Sequence, residues 1–239
     1  MPPVGSTNSK RINEKRSQIY LSKLIGRDGD QFSMSEADSA LKFEIPTWDE
    51  IYELLLNLTD KIKESNFEPD VIIGVSRGGW PPARIISDLL ENPKLANVAA
   101  EFYVGVAETK GEPTITQPVS APVKGKRVLV VDDVADTGKS LRLVRSHLEE
   151  KGATEVRIIT IYYKPWSILV PDYYQRETSS WIVFPWERKE SVRRVAEKYK
   201  RQGKSLEEAK EALVDSGFNR KLVERFAKEI FGESPCLGR

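Results

Sequence analysis

Residues 126–142, KRVLVVDDVADTGKSLR, restrict the possible folds more than any other stretch of the chain. Val128–Val131 is an apolar, β-branched run that ends in two adjacent carboxylates, Asp132 and Asp133. A short polar turn, Asp136-Thr137-Gly138-Lys139-Ser140, follows, and an apolar-periodic segment opens at Leu141. This order predicts a buried strand, a turn of small donor-rich residues and the N-terminus of a helix. Successive backbone N–H groups, two hydroxyls and the positive helix end suit a phosphate. Paired acids just before them suit the vicinal hydroxyls of a sugar, so the stretch as a whole predicts a phosphorylated-ribose site.

Three simpler readings compete. Gly138-Lys139-Ser140 matches the end of a P-loop, but that motif needs a glycine five positions earlier, where this chain has Asp133. Asp132, Asp133 and Asp136 have the spacing of a magnesium-binding acidic cluster on a helix, yet they follow a strand, and Gly138 would weaken a helix. A purely structural strand-to-helix turn accounts for Gly-Lys-Ser alone. It does not account for paired acids flush against an apolar strand, because carboxylates there carry a desolvation cost.

Composition narrows the class. A chain of 239 residues suits one sizeable α/β domain with appendages, or at most two domains. Lys+Arg 37 against Asp+Glu 36 gives a formal charge of +1, which argues against a whole-surface nucleic-acid footprint while allowing a local basic patch. With one cysteine, Cys236, no intrachain disulfide can form, and a reducing, cytoplasmic setting is expected. One histidine, His147, falls on the helix after the phosphate turn and reads as a helix-surface residue, so histidine triads and Cys/His zinc sites are excluded. No apolar run approaches the length of about 20 residues that spans a bilayer, and the N-terminal stretch lacks the apolar core of a secretory signal.

The remaining segments alternate between helical and strand signals. Residues 1–42 are a polar, basic N-terminal extension, with a weak apolar face at Ile12, Ile19, Tyr20 and Leu24. Thr47 and Glu50 form a capping box, and Ile51, Leu54, Leu55, Leu58 and Ile62 predict an amphipathic helix to about Glu64. Val71–Val75 predicts a strand, followed by Ser76-Arg77-Gly78-Gly79-Trp80-Pro81-Pro82. Its glycines permit close backbone approach, Arg77 supplies charge and the prolines open the next helix. Beside a phosphoribose motif this turn is a candidate for a second anion, a pyrophosphate. Val98–Val104 predicts another strand, and the long connection Gly105–Gly125 is expected to fold partly as a hairpin through Thr114–Thr116 and Val119. Beyond the phosphate-turn helix, Glu155–Tyr162 predicts a strand leading to Lys164-Pro165-Trp166, and an apolar, aromatic run covers Trp181–Glu187. Residues 189–239 are charged and predict three short helices near 190–201, 206–216 and 220–231, with Ser205/Glu208 as a second capping box and Asn219 as a further cap.

VLVVDDVADTGKS resembles the phosphoribosyl-diphosphate signature of type I phosphoribosyltransferases. The Ser76–Gly79 run resembles the pyrophosphate loop of the xanthine-guanine members, in which the peptide joining the first two residues is cis, so a cis Ser76–Arg77 bond is implied. The spacing of Lys164-Pro165 to Trp181-Ile182 and Pro185-Trp186-Glu187 is similar to the purine-lining segments of the same enzymes.

The resemblance implies an α/β fold with a mostly parallel sheet and a small hood, over about 43–188, with 189–239 as a helical appendage. It implies transfer of phosphoribosyl to a 6-oxopurine (guanine, xanthine or hypoxanthine), with pyrophosphate released and Mg2+ as cofactor, in purine salvage. Phosphoribosyl diphosphate would be held by Ser76, Arg77, Gly78, Gly79, Asp132, Asp133, Asp136, Thr137, Gly138, Lys139 and Ser140. Arg77 would meet leaving-group charge, and Asp136 would lie near purine N7. Lys164 would donate to the 6-oxo group, Trp181 would stack on the base and Ile182 would offer main-chain hydrogen bonds. Glu187 stands where the family has an acid near magnesium. The resemblance also implies a homo-oligomer, dimer or tetramer, and places a mobile catalytic loop within 103–125, whose substrate contacts stay open because Tyr103-Val104-Gly105 replaces the Ser-Tyr often found there. The competing reading is a regulator of the same fold that senses phosphoribosyl diphosphate or purines and binds nucleic acid through the basic N-terminal segment or the C-terminal helices.

Overall fold

A computed structural model describes residues 42–102 and 112–231. The extension before them and the first half of the presumed catalytic loop, with Tyr103, Glu108 and Lys110, lie outside the described residues. Among the described residues the chain forms two compact units, one over 51–102 and 112–179 and one that joins 42–50 to 180–231.

The first unit is built on a six-stranded sheet of order β4-β3-β2-β5-β6-β7. Its strands are β2 (Val71–Ser76), β3 (Leu95–Phe102), β4 (Pro113–Gln117), β5 (Arg127–Ala135), β6 (Glu155–Tyr163) and β7 (Tyr173–Glu177). All neighbours run parallel except β3 and β4, which pair antiparallel; Thr114–Thr116 are strand as expected, but their partner is β3 and not a second strand within 105–125 at Val119. The central strands are apolar at nearly every position because a parallel sheet is covered on both faces. Val71, Ile73, Val75, Val128 and Val130 point to one face, where Leu141, Val144 and Leu148 of helix α3 (Lys139–Glu150) complete a buried cluster. Ile72, Leu129 and Val131 alternate with them and are also buried. Helix α2 (Trp80–Leu89), which opens with the two prolines, packs against β2 and β5.

The long helix α1 (Trp48–Glu64) starts at the expected capping box: the Glu50 N–H donates to Thr47 Oγ1 at 3.2 Å, and the Thr47 N–H donates to the Glu50 carboxylate at 2.7 Å. Its periodic residues Ile51, Leu54, Leu55, Leu58 and Ile62 are all buried. Two strand expectations need correction. The strand read from Val98 begins earlier, at Leu95, because the alternating run before it also pairs with β2. Strand β7 was not anticipated: its sequence YYQRE carries no alternating apolar pattern, and it forms by pairing with β6.

In the second unit, β1 (Phe43–Glu44) pairs parallel with β8 (Trp181–Ile182). Helices α4 (Arg188–Arg201), α5 (Leu206–Asp215) and α6 (Arg220–Phe231) lie close to the expected bounds. Val183, Val192, Leu213, Phe218 and Val223 form the core of this unit, with Phe43 set edge-on to Phe218 at 5.4 Å. The aromatic run from Trp181 is therefore strand for only two residues, and Val183 and Phe184 then turn into the core. Both the Ser205/Glu208 capping box and the Asn219 cap are present. Among the described residues, no helix is long and apolar enough to cross a membrane.

Candidate active site

Strand order gathers the sequence-predicted groups of the first unit. β5 lies between β2 and β6, so the turns that leave these three strands emerge side by side at the carboxyl edge of the sheet. In parallel α/β sheets this edge is where ligands bind.

The turn after β2 closes through the Gly79 N–H, which donates to the Val75 carbonyl at 2.8 Å. The Ser76–Arg77 peptide is cis, as the resemblance implies. Arg77 is exposed. Gly78 lies against the Asp133 carboxyl group: a Cβ on Gly78 would overlap the Asp133 side chain, with Cγ at 2.6 Å. Gly79 lies against backbone instead, and a Cβ there would fall 2.8 Å from the Val75 carbonyl and 2.9 Å from Asp132 Cα. The two glycines thus allow the turn after β2 to seat directly on the paired acids of β5.

Asp133 is 8 % exposed. Part of Asp132 reaches solvent, but its carboxyl group is enclosed. Burial first, and then the adjacent Asp133 carboxylate, push the Asp132 carboxyl well above its ordinary range, against the opposing hydrogen bond from the Asp133 N–H at 3.0 Å. Two enclosed neighbouring acids favour a partner that supplies donors or positive charge.

The phosphate turn follows. Gly138 adopts φ of 75°, a left-handed conformation suited to glycine, and is the N-cap of α3 with no side-chain cap. Residues Ser167–Leu169 fill the space its missing side chain leaves: a Cβ would sit 2.8 Å from the Leu169 N atom and overlap Ser167 Oγ. Thr137 Oγ1 accepts from the Lys139 N–H at 3.4 Å, and Lys139 and Ser140 open the helix. With no side chain on the N-cap residue itself, the next amides of the first turn are offered to an anion. The Lys139 ammonium reaches Glu112, just before β4, at 2.7 Å.

The segment leaving β6 docks beside this turn. The Lys164 N–H donates to the Ala135 carbonyl at 3.0 Å and the Ile168 N–H to the Thr137 carbonyl at 3.0 Å. Lys164 is only 4 % exposed, with its ammonium 5.4 Å from the centre of the Trp166 ring. The Trp166 indole N–H donates to Asp136 Oδ1 at 3.0 Å. Asp136 and Lys164, 28 positions apart in the chain, therefore share one neighbour.

The other predicted residues belong to the second unit. Trp181 pairs with Phe43 and its N–H donates to the Lys42 carbonyl at 2.8 Å, while the Arg194 guanidinium lies 5.9 Å over its ring. The Trp181 and Val183 N–H groups both face β1. Strand alternation then directs the Ile182 main chain to the opposite edge. Glu187 is the N-cap residue of α4, and its carboxylate accepts from the Phe184 N–H at 3.4 Å. Among the described residues, no group of three or more His, Cys, Asp or Glu is arranged to hold a metal ion. His147 is half-buried and not merely on the helix surface, with Nε2 accepting from the Val119 N–H at 3.4 Å.

Sequence reasoning missed Glu112, Trp166 and Ser167. Trp166 was visible inside Lys-Pro-Trp but carried no signal of a partner 30 positions upstream.

Comparison with known proteins identifies the family. Residues 47–191 match the phosphoribosyl transferase domain. A curated xanthine-guanine phosphoribosyltransferase of Nitratidesulfovibrio vulgaris is 30% identical over 156 residues, covering 64% of this chain and 90% of the relative. One from Gluconobacter oxydans is 26% identical over 155 residues, covering 64% of this chain and 89% of the relative. The crystal structure of a purine phosphoribosyltransferase from Pyrococcus horikoshii Ot3 is 40% identical, with a TM-score of 0.56, and covers 61% of this chain and 94% of that protein. The domain match spans the sheet, both glycine turns and the paired acids, and this chain belongs to the phosphoribosyl transferase family.

Proposed function

We propose that the protein transfers phosphoribosyl from phosphoribosyl diphosphate to a 6-oxopurine, releasing pyrophosphate and forming a nucleoside monophosphate. The observation that carries this reading is the seating of Gly78 on the Asp133 carboxyl group, which sets an arginine-bearing glycine turn and an uncapped helix start on either side of two acids. One substrate with a phosphate, a diol and a pyrophosphate matches those three features in order.

In this account Thr137, Gly138, Lys139 and Ser140 hold the 5′-phosphate, and Asp132 and Asp133 hold the ribose hydroxyls. Ser76, Arg77, Gly78 and Gly79 hold the pyrophosphate. The bond from the anomeric carbon to a pyrophosphate oxygen breaks as the bond to the purine imidazole nitrogen forms. Arg77 and the turn amides stabilise the charge that gathers on the leaving group. Asp136, placed near N7, accepts the proton that the imidazole gives up. Most of the rate enhancement comes from holding the two reactants in line, with a smaller part from proton transfer.

Magnesium fits the donor set in a limited way. Asp132 and Asp133 are hard oxygen donors, and an ion beside them would complete its shell with substrate phosphate oxygens and water. Bound there, the ion would neutralise pyrophosphate charge. Glu187, an intermediate-burial carboxylate in the second unit, remains a candidate ligand by motif position alone.

The purine class rests on Lys164. A cationic donor is satisfied by the 6-oxo group and left unpaired by the 6-amino group of adenine. Trp181 as the stacking residue and Ile182 as a main-chain contact follow from the motif match, and the names of the curated relatives point to the same substrates. Initial rates for guanine, hypoxanthine, xanthine and adenine, measured for the wild type and Lys164→Ala, test the assignment. The expected result is loss of oxopurine turnover in the variant with phosphoribosyl-diphosphate affinity kept within about threefold. Equal loss of both would remove Lys164 from the base site.

A further inference from the structure

We propose that Trp166 is the positioning residue of the base end of the site, setting Asp136 through its indole N–H and Lys164 through its ring. This rests on the reading above, in which Asp136 and Lys164 meet N7 and the 6-oxo group, neighbours on one edge of the purine.

The geometry is specific. Trp166 is 6 % exposed, so its ring cannot swing aside without opening the core. Its Nε1–H donates to Asp136 Oδ1 at 3.0 Å, a hydrogen bond to a carboxylate, and this holds the plane of the Asp136 carboxyl group. Its ring centre lies 5.4 Å from Lys164 Nζ, within the range in which an aromatic face attracts a cation. Lys164 is 4 % exposed, and a buried ammonium needs compensation from its surroundings. One side chain thus touches both groups, and it is held in register by the backbone bonds of Lys164 to Ala135 and Ile168 to Thr137 on either side of it.

These two contacts make separable demands on the side chain. Trp166→Phe keeps an aromatic face and removes only the donor. Trp166→Leu removes both. A hydrogen bond to a charged group is worth a factor of roughly 10 to 100, so Trp166→Phe should lower kcat with guanine or hypoxanthine by about that factor. Its KM for phosphoribosyl diphosphate and its preference for oxopurines over adenine should stay near wild type. Trp166→Leu should lower kcat similarly and also erode the oxopurine preference.

A double-mutant cycle of Trp166→Phe with Asp136→Asn separates positioning from general packing. If Trp166 acts through Asp136, adding Trp166→Phe to Asp136→Asn leaves kcat unchanged within about twofold. Independent, multiplicative losses would overturn the proposal, as would a Trp166→Phe enzyme with wild-type kcat. Failure of the underlying reading looks different: Asp136→Asn alone would then leave oxopurine turnover intact, whatever Trp166 does. Asp136→Asn also guards against misfolding of the tryptophan variants, since it removes the carboxylate charge at the half-exposed end of the contact while keeping an acceptor for the indole N–H and leaving the Trp166 packing untouched.

Discussion

Replacing Gly78 or Gly79 by alanine adds the same methyl group one residue apart, but the two sites oppose it with different material. At Gly79 the new Cβ meets backbone, with the Val75 carbonyl at 2.8 Å, Asp132 Cα at 2.9 Å and the Val131 carbonyl overlapped. None of these can rotate away, so β2 and β5 must separate. Overpacking of this kind costs about 2–3 kcal/mol, a fall in Tm of roughly 5–10 °C for a chain of this size. At Gly78 the obstacle is the Asp133 carboxyl group, which can rotate about χ1 and relieve the clash for about 1 kcal/mol. That rotation withdraws a carboxylate assigned to the ribose hydroxyls. Losing a pair of charge-assisted hydrogen bonds costs at least ~3 kcal/mol of transition-state binding, a factor of roughly 100 or more in kcat/KM for phosphoribosyl diphosphate. Thermal melts combined with steady-state kinetics therefore give a crossed pattern: Gly78→Ala is nearly as stable as wild type but poorly active, whereas Gly79→Ala loses both properties. A Gly78→Ala enzyme with kcat/KM within about threefold of wild type would refute the reasoning, because Asp133 could then not be both the obstacle and a substrate ligand.

Other expectations address charge and capping. Asp132, whose carboxyl is pushed above its ordinary value of 3.8, binds its proton more tightly folded than unfolded, so its contribution to stability is present below 3.8 and is lost as pH rises through the elevated value. Asp132→Asn should accordingly gain Tm relative to wild type as pH climbs from 4 to 8 by about that linkage, while losing activity; melts across that range that stay parallel would contradict it. Lys139→Ala should raise KM for phosphoribosyl diphosphate by about tenfold with a Tm change under about 3 °C, because its bond to Glu112 joins two side chains that are 34% and 70% exposed. Ser205→Ala removes the side chain that accepts from the Glu208 N–H at 3.3 Å and should cost about 1 kcal/mol in thermal or denaturant unfolding with kcat unchanged.

Local signals in the sequence proved sufficient where neighbours in the chain are also neighbours in space. The apolar run before Asp132, the prolines opening α2, the Thr47 and Ser205 capping boxes and the C-terminal helices all depend on interactions within a few residues. Pairings across the chain were harder to read. Strand β7 is polar and is a strand only because β6 offers it an edge. Val183 is buried with Phe218 and Leu213, and the half-buried Phe43 packs against them, because the second unit draws its core from two segments far apart in the chain. At the site, the glycines and acids were legible as types, but the contact between Gly78 and Asp133 spans 55 positions, and the bond from Trp166 to Asp136 spans 30. Such contacts are set by strand order, which no local motif encodes.

In the proposed reaction, one turnover breaks the bond to pyrophosphate and joins the ribose to an oxopurine. The most direct test is to incubate the purified protein with phosphoribosyl diphosphate, magnesium and, separately, guanine, hypoxanthine, xanthine, adenine or orotate, and to quantify nucleotide and pyrophosphate together. Equal amounts of nucleoside monophosphate and pyrophosphate are expected with at least one oxopurine, and little of either with adenine or orotate. Absence of product with every oxopurine, or product with adenine or orotate in their place, would contradict it.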